Sequence, residues 1–257
     1  MRQDGTQAIR RAAAILKRIA HEADGENATL ASISQAVDLP RSTAHRILKC
    51  LTDTGLATYD PKSRRYEIGM LAYELGLAVS DNVLQLAPWA AAADRVAQRA
   101  NVTTYLMRRS GMEAVCVHKA EGRTLIRVIP VEVGQRRYLG VGAGATALLA
   151  ALPDDTVTRV LEAIAPELGT YEALNPDTIR SAVAKARSTG FAESEGRAYR
   201  SIYGLGAGIR AHMGASDLAI SIAAHAPDVD ATRIAEWKRI ISEEIAATAA
   251  RAGPAGA

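Results

Sequence analysis

"LPRSTAHRILKCLTDTGLATYDPKSRRYEIG" occupies residues 39–69, and its reading decides the fold of the first third of the chain. Pro40 has a fixed φ and no N–H, which suits the start of a helix, and Gly55 closes that helix where a left-handed cap costs little. At 100° per residue Ala44, Ile47, Leu48 and Leu51 fall on one stripe. Ser42, Arg46 and Lys49 fall opposite it, with His45 on the flank. The segments "LATY", "DPKSR" and "RYEIG" then read as strand, turn and strand, a wing carrying Lys62, Arg64 and Arg65 at its tip.

Working upstream, the apolar positions from Thr6 to about Glu22 recur at three and four, the pattern of an amphipathic helix. Thr29 precedes "LASISQAV", where its oxygen can accept from the free N–H groups at the start of a short helix. "DLP" makes the corner into the Pro40 helix. Two helices joined by a tight corner, the second with a short cationic outer face, form the helix-turn-helix arrangement that lays a helix in the major groove. A basic face alone is more often a solvated surface, but the ordered succession of helix, helix, cationic helix and cationic hairpin argues for DNA. The expected contacts are Thr29, Arg41, Ser42, Thr43, His45, Arg46 and Lys49 from the helices. Lys62, Arg64 and Arg65 from the wing would touch phosphates.

The 257 residues are 48% hydrophobic and 23% charged, the composition of a globular chain with room for two modest domains. A net charge of +3 says little by itself, but residues 41–65 hold six Lys or Arg against two Asp. No run approaches the ~18 to 20 apolar residues of a membrane span, and no signal peptide is recognisable, so the expected location is the cytoplasm with no membrane partner. Cys50 and Cys116 are too far apart and too isolated for a disulfide framework or a zinc site. No metal and no cofactor are expected.

"LASISQAVDLPRSTAHRILKCLTDTGLATYDPKSRRYEIGMLAYELGLA" (residues 30–78) resembles the winged helix-turn-helix and linker helix of the IclR family of bacterial transcription regulators. The resemblance is close in "LPRSTAHRILKCLTDTGL" and "YEIG" and looser through most of the rest. It implies a DNA-binding domain over residues 1–68, a linker helix over 69–80 and an effector-binding, oligomerising domain over 81–257. The fold class so implied is α+β, with a GAF-like antiparallel sheet in the last part. Homodimers or homotetramers are implied as well, and Leu71, Leu75 and Leu77 to Val79 give the linker an apolar surface suited to a second subunit.

The residues beyond the linker support that class. "TTYLMRR", "AVCVHKA" and "TLIRVIP" read as antiparallel strands, "DDTVTRVLEAIA" as a helix, and Asn175 with Pro176 as the start of another helix that ends at Gly190. The strands "GLGAGIRAHM" and "DLAISIAAHA" precede a last helix, "PDVDATRIAEWKRIISEEIAATAA".

"GVGAGATALLAALP" (140–153) has the Gly-x-Gly-x-x-Ala spacing of a dinucleotide site, but a βαβ context is missing and Glu162, at the spacing of a ribose partner, lies in a helical pattern. Cys116 and His118 alternate by two on a strand, which puts thiol and imidazole on one face, yet nothing marks an orienting group or oxyanion hole. Glu193 and Glu195 read as a strand edge bordering the pocket. A small-molecule enzyme whose N-terminal helices serve assembly is therefore the lesser alternative, and the chain is read as a non-enzyme.

The resemblance places the 140–153 stretch at the ligand, with the N–H groups of Ala143 and Gly144 at a helix N-terminus that favours a carboxylate. It implies further contacts at Ser194, Gly204, Ser221 and Ala223. Gly204 and Ala223 lack a side-chain donor, and Gly140 stands where the family has a histidine, which suggests an enlarged, less polar pocket for a bulkier, even aromatic, acid or a neutral relative. Tyr105, Met107 and Tyr203 are the expected walls. The function so read is a ligand-responsive repressor of a catabolic operon.

Overall fold

The computed structural model describes residues 4–21, 28–78, 80–123, 131–171, 173–196, 200–209 and 217–252. They divide into two compact units, Met1–Leu84 and Gln85–Ala257.

The first unit contains α1 (Asp4–His21), α2 (Leu30–Ala36), α3 (Arg41–Asp53), β1 (Ala57–Asp60), β2 (Arg65–Ile68) and α4 (Met70–Leu77). Thr29 caps α2 in a reciprocal box, its side chain accepting from the Ser32 N–H while the Ser32 hydroxyl accepts from the Thr29 N–H. Asp38 turns the corner at φ 48°, and Pro40 stands at the N-cap of α3. Ile15 and Ile19 of α1, Ile33 of α2 and Leu48 and Leu51 of α3 close one core with Ala57 and Tyr66 of the hairpin. Each fully buried Ile or Leu there contributes roughly 1.5–3 kcal/mol of burial free energy. The β1–β2 hairpin is also tied to the helices, because the Tyr66 N–H donates to Ala28 O at 2.9 Å and Thr29 bridges Arg65.

The second unit starts within α5 (Ser80–Ala100) and runs through β3 (Thr103–Ser110), β4 (Glu113–Ala120), β5 (Arg136–Tyr138), α6 (Ala143–Ala150), α7 (Asp154–Ile164) and α8 (Pro176–Thr189). It ends with β6 (Ala192–Glu195), β7 (Ile202–Ile209), β8 (Leu218–His225) and α9 (Ala231–Ala252). The sheet order is β5-β4-β3-β8-β7-β6, and every pairing is antiparallel. Two separate cores result. One face packs on α6, α7 and α8 through Met107, Leu148, Leu161 and Ile179. The other packs on α5 and α9 through Leu106, Leu205, Ile220, Val96 and Trp237. The N-terminal helix-turn-helix and the α+β class with an antiparallel sheet match the sequence reading. The strand expected at "TLIRVIP" and the last residues of "GLGAGIRAHM" lie outside the described residues, as does Val79.

The Asn175 cap and Pro176 at N1 start α8 as expected, and Gly190 ends it at φ 80°. Expectation and structure part at β4. A β-bulge opposite Leu106 and Met107 makes Leu106 pair with His118 and Met107 with Cys116. The extra residue breaks the two-residue alternation, so Cys116 enters the α6-side core while His118 sits on the opposite face, where its Nε2 lies 2.8 Å from Asp94 Oδ1 of α5. The thiol and imidazole thus do not share a face.

Candidate functional site

In the first unit Arg41, Ser42, His45, Arg46 and Lys49 are exposed along α3, opposite the buried Ala44, Leu48 and Leu51. Thr43 is half-buried and, with Arg46, borders a groove against Gln7, Ile9 and Arg11 of α1. Arg41, Arg46, Lys49, Lys62 and Arg64 form no ion pair among the described residues, so their charge is available to an anionic partner. The wing tip is shaped by Asp60, whose carboxylate accepts from the Lys62 N–H at 2.9 Å, the Ser63 N–H at 3.2 Å and the Ser63 hydroxyl at 2.6 Å. Those hydrogen bonds, the Ser63 hydroxyl first, hold the Asp60 carboxyl below its ordinary range. Arg64 then occupies a left-handed conformation at φ 57°, exposed at the tip, while Arg65 is half-buried where its strand meets Thr29. The Thr29 hydroxyl is engaged in its cap, so of the expected contacts it is the one with a local structural duty.

In the second unit a cavity of about 60 Å³ lies between the start of α6 and the sheet. The register assembles its floor. One row across the sheet runs Ser194, Gly204, Ala223, Thr103, and the next runs Ala192, Gly206, Ser221, Tyr105. Because alternate residues share a face, Ser194, Gly204, Ser221, Ala223, Tyr105 and Met107 all line the cavity together with Ala143 and Gly144. Gly142 caps α6 at φ 84° without a side-chain hydrogen bond, leaving the first-turn N–H groups to the cavity. Thr146 steadies this turn by donating its hydroxyl toward Gly142 O at 2.9 Å and Gly140 O at 3.1 Å.

Tyr203 is the expected wall residue that lies elsewhere. It precedes Gly204 by one position, so it points to the opposite face and packs on Trp237, with ring centroids 6.2 Å apart. Its hydroxyl is buried without a partner among the described residues, and burial pushes its phenol well above the ordinary value. The glycines also act differently from the expected enlargement. A Cβ on residue 204 would meet the Ala143 Cβ at 3.1 Å, and one on residue 206 would lie 2.8 Å from Ala143 O. The space freed by the absent side chains is taken up by α6 itself, whose first turn settles onto β7. At Gly140 a left-handed φ of 94° coincides with a Cβ position 2.5 Å from Ile179, so no side chain fits there.

The sequence reading did not name Val131, Arg137, Val141, Gly142, Ala145, Ile202 or Ile222, which also line the cavity. Arg137 was findable, since it stands two residues before the buried Leu139 in a strand that leads into the small-residue loop. Cys116 lies in the core near Tyr105. Burial pushes its thiol up to about 12 and also raises the Tyr105 phenol far above its usual range. Neither group is ionised near neutrality. At the sheet edge the Glu193 carboxylate bonds Lys185 of α8 and Lys238 of α9, each at 2.7 Å. The dinucleotide spacing has no supporting context either, because α6 follows an edge strand of an antiparallel sheet and Glu162 lies within α7.

The comparisons with known proteins agree with this architecture. Residues 82–250 match the family model described as bacterial transcriptional regulator IclR C-terminal, and residues 8–61 match the IclR helix-turn-helix domain. The HTH-type transcriptional repressor AllR of Klebsiella pneumoniae is 30% identical over 159 residues, which is 62% of this chain and 57% of that protein. The match thus spans less than two thirds of the relative's length. An IclR transcriptional regulator from Alicyclobacillus acidocaldarius superposes with a TM-score of 0.76 at 23% identity, covering 96% of this chain and 99% of the other. An IclR homolog from Microbacterium hydrocarbonoxydans, solved with 4-hydroxybenzoate, superposes at 0.71 with 19% identity over 95% of this chain and 99% of its own. At these identities the two structures establish likeness of fold. The matching families are of transcriptional regulators rather than enzymes, and with one family model covering well over half of its length this chain belongs to the IclR family of bacterial transcriptional regulators.

Proposed function

We propose that the protein is a homodimeric or homotetrameric, ligand-responsive repressor that binds double-stranded operator DNA in the cell interior and is released by a small organic acid. The observation that carries this reading is an exposed cationic α3 and wing in one unit, together with a cavity at a helix N-terminus in the other that no carboxylate among the described residues lines. Arg41, Ser42, Thr43, His45, Arg46 and Lys49 would face the major groove, and Lys62, Arg64 and Arg65 the flanking phosphates. Thr29 would set the height of the recognition helix through its cap.

Residues 69–80 would serve as the linker helix. Met70, Tyr73, Leu75 and Leu77 of α4 are 67%, 63%, 53% and 59% exposed, an apolar surface that a second copy would cover. In the cavity the N–H groups of Ala143 and Gly144, with Ser194 and Ser221, would receive the acid, and Tyr105 and Met107 would flank its body. The complex of a similar protein with 4-hydroxybenzoate supports an aromatic acid. Ligand binding would act by preferring one arrangement of the two winged helices over the other.

The test is a gel-shift with DNA from immediately upstream of the gene. Preference for that DNA over random sequence, reduced by an organic acid, is expected. Equal binding of both DNAs would overturn the reading.

A further inference from the structure

We infer that Arg137 is the specificity-determining residue of the cavity beside α6, and that its guanidinium restricts the site to monocarboxylates with an apolar body. The inference rests on the proposed reading of this cavity as the ligand site. Fifteen of the described residues line the cavity, and Arg137 is the charged one among them; the others are apolar, glycine, serine or tyrosine.

The register explains how it gets there. Arg137 pairs with Ala114, whose neighbour two residues on, Cys116, also lies in the α6-side core, so Arg137 is presented to the α6 face of the sheet. Arg136 pairs with Val115 and turns the other way, where Glu113 accepts from its Nη1 at 2.9 Å. The two adjacent arginines therefore have separate duties. The Arg137 charge is felt inside the core, where it opposes the burial that raises the Cys116 thiol.

Chemistry then selects the ligand. Arg137 Nη1 donates to Arg136 O at 2.8 Å, which anchors the guanidinium; its charge favours a carboxylate, and the uncapped first turn of α6 adds partial positive charge to the same cavity. Ser221 is buried, lines the cavity and makes no side-chain hydrogen bond among the described residues, which leaves its hydroxyl for a further ligand oxygen. Among the described residues no second cation lines the space. A second carboxylate desolvated against Val131, Val141 and Ile202 would meet no counter-charge from the described residues, which disfavours dicarboxylates, and the Arg137 charge disfavours cations.

The experiment compares acids with their neutral amides on the full chain. Benzoate, 4-hydroxybenzoate and pyruvate are each titrated by calorimetry beside benzamide, 4-hydroxybenzamide and pyruvamide, on the unaltered protein and on Arg137→Met and Arg137→Lys. At least one acid should bind roughly tenfold or more tighter than its amide, the difference expected of a charge-assisted contact. Arg137→Met should abolish that preference by weakening the acid more than its amide, and Arg137→Lys should restore part of it. Acid and amide binding alike to the unaltered protein would overturn the inference, as would failure of every acid to bind, and neither result needs a folded variant. The gel-shift run in parallel separates the two readings, because loss of operator preference strikes the regulator and leaves the acid-to-amide ratio standing.

Discussion

Cys116 and His118, two residues apart on one strand, face opposite sides of the sheet because a bulge beside Leu106 and Met107 inserts a residue between their pairings. The thiol is sealed in the core, and burial pushes it up to about 12, whereas Cys50 is exposed on α3. At pH 8 the native protein should therefore consume one equivalent of a thiol reagent, at Cys50, and a second only on denaturation. Peptide mapping after alkylation checks this. Rapid native labelling of Cys116 would contradict the placement.

Arg46 and Arg64 should fail in different ways. Arg46→Ala should weaken binding to the operator by about 1 to 3 kcal/mol more than binding to random DNA, because its position on the outward face of α3 suits base contact. Arg64→Ala, at the wing tip, should weaken both equally and lower the salt slope by about 1. Titrations at several salt concentrations distinguish the two, and equal losses for Arg46→Ala would remove it from base reading.

Gly206 lies beneath the first turn of α6, with the Ala143 carbonyl oxygen 2.8 Å from where a Cβ would stand. Backbone cannot rotate away as a side-chain tip can. Gly206→Val should destabilise the second unit by roughly 1–3 kcal/mol, the usual cost of overpacking, and abolish ligand binding. Urea unfolding and calorimetry measure the two effects.

Glu193 ties α8 to α9 through Lys185 and Lys238, and its carboxylate keeps only 10% of its surface exposed. Burial raises its pKa, but the hydrogen bonds and charges of the two lysines outweigh this and leave it below the ordinary value. A carboxylate held down in the folded state stabilises the protein above its unfolded value of about 4.3, and loses that contribution as pH falls through the folded value. Glu193→Gln should cost on the order of 1 kcal/mol at pH 7, given that Lys185 is half exposed, and the difference from the parent should vanish in acid. Chemical unfolding at pH 7 and pH 3 tests the sign.

The exposed α4 surface sets a further expectation. Leu75→Lys should shift the protein toward smaller assemblies by placing charge on the apolar face, as read by sedimentation velocity. Unchanged mass would assign the oligomer contact elsewhere.

Read alone, the sequence determined the first unit almost completely. Its helices carry their own periodicity, the Thr29 cap and the turn at Asp60 are local hydrogen-bond motifs, and the outward face of α3 follows from angle counting between Ser42 and Lys49. The cap at Asn175 was legible for the same reason, whereas the start of α6 came from the family resemblance. What only the tertiary structure decided were the features that depend on which strands are neighbours. The bulge that separates Cys116 from His118, the turning of Tyr203 away from the cavity and the entry of Arg137 into it are set by register across the sheet. Gly204 taught the same lesson, since a missing side chain reads as open space until the helix that fills it is in place. Local geometry is written within a few residues of chain, whereas a side chain's face and company depend on partners tens of residues away.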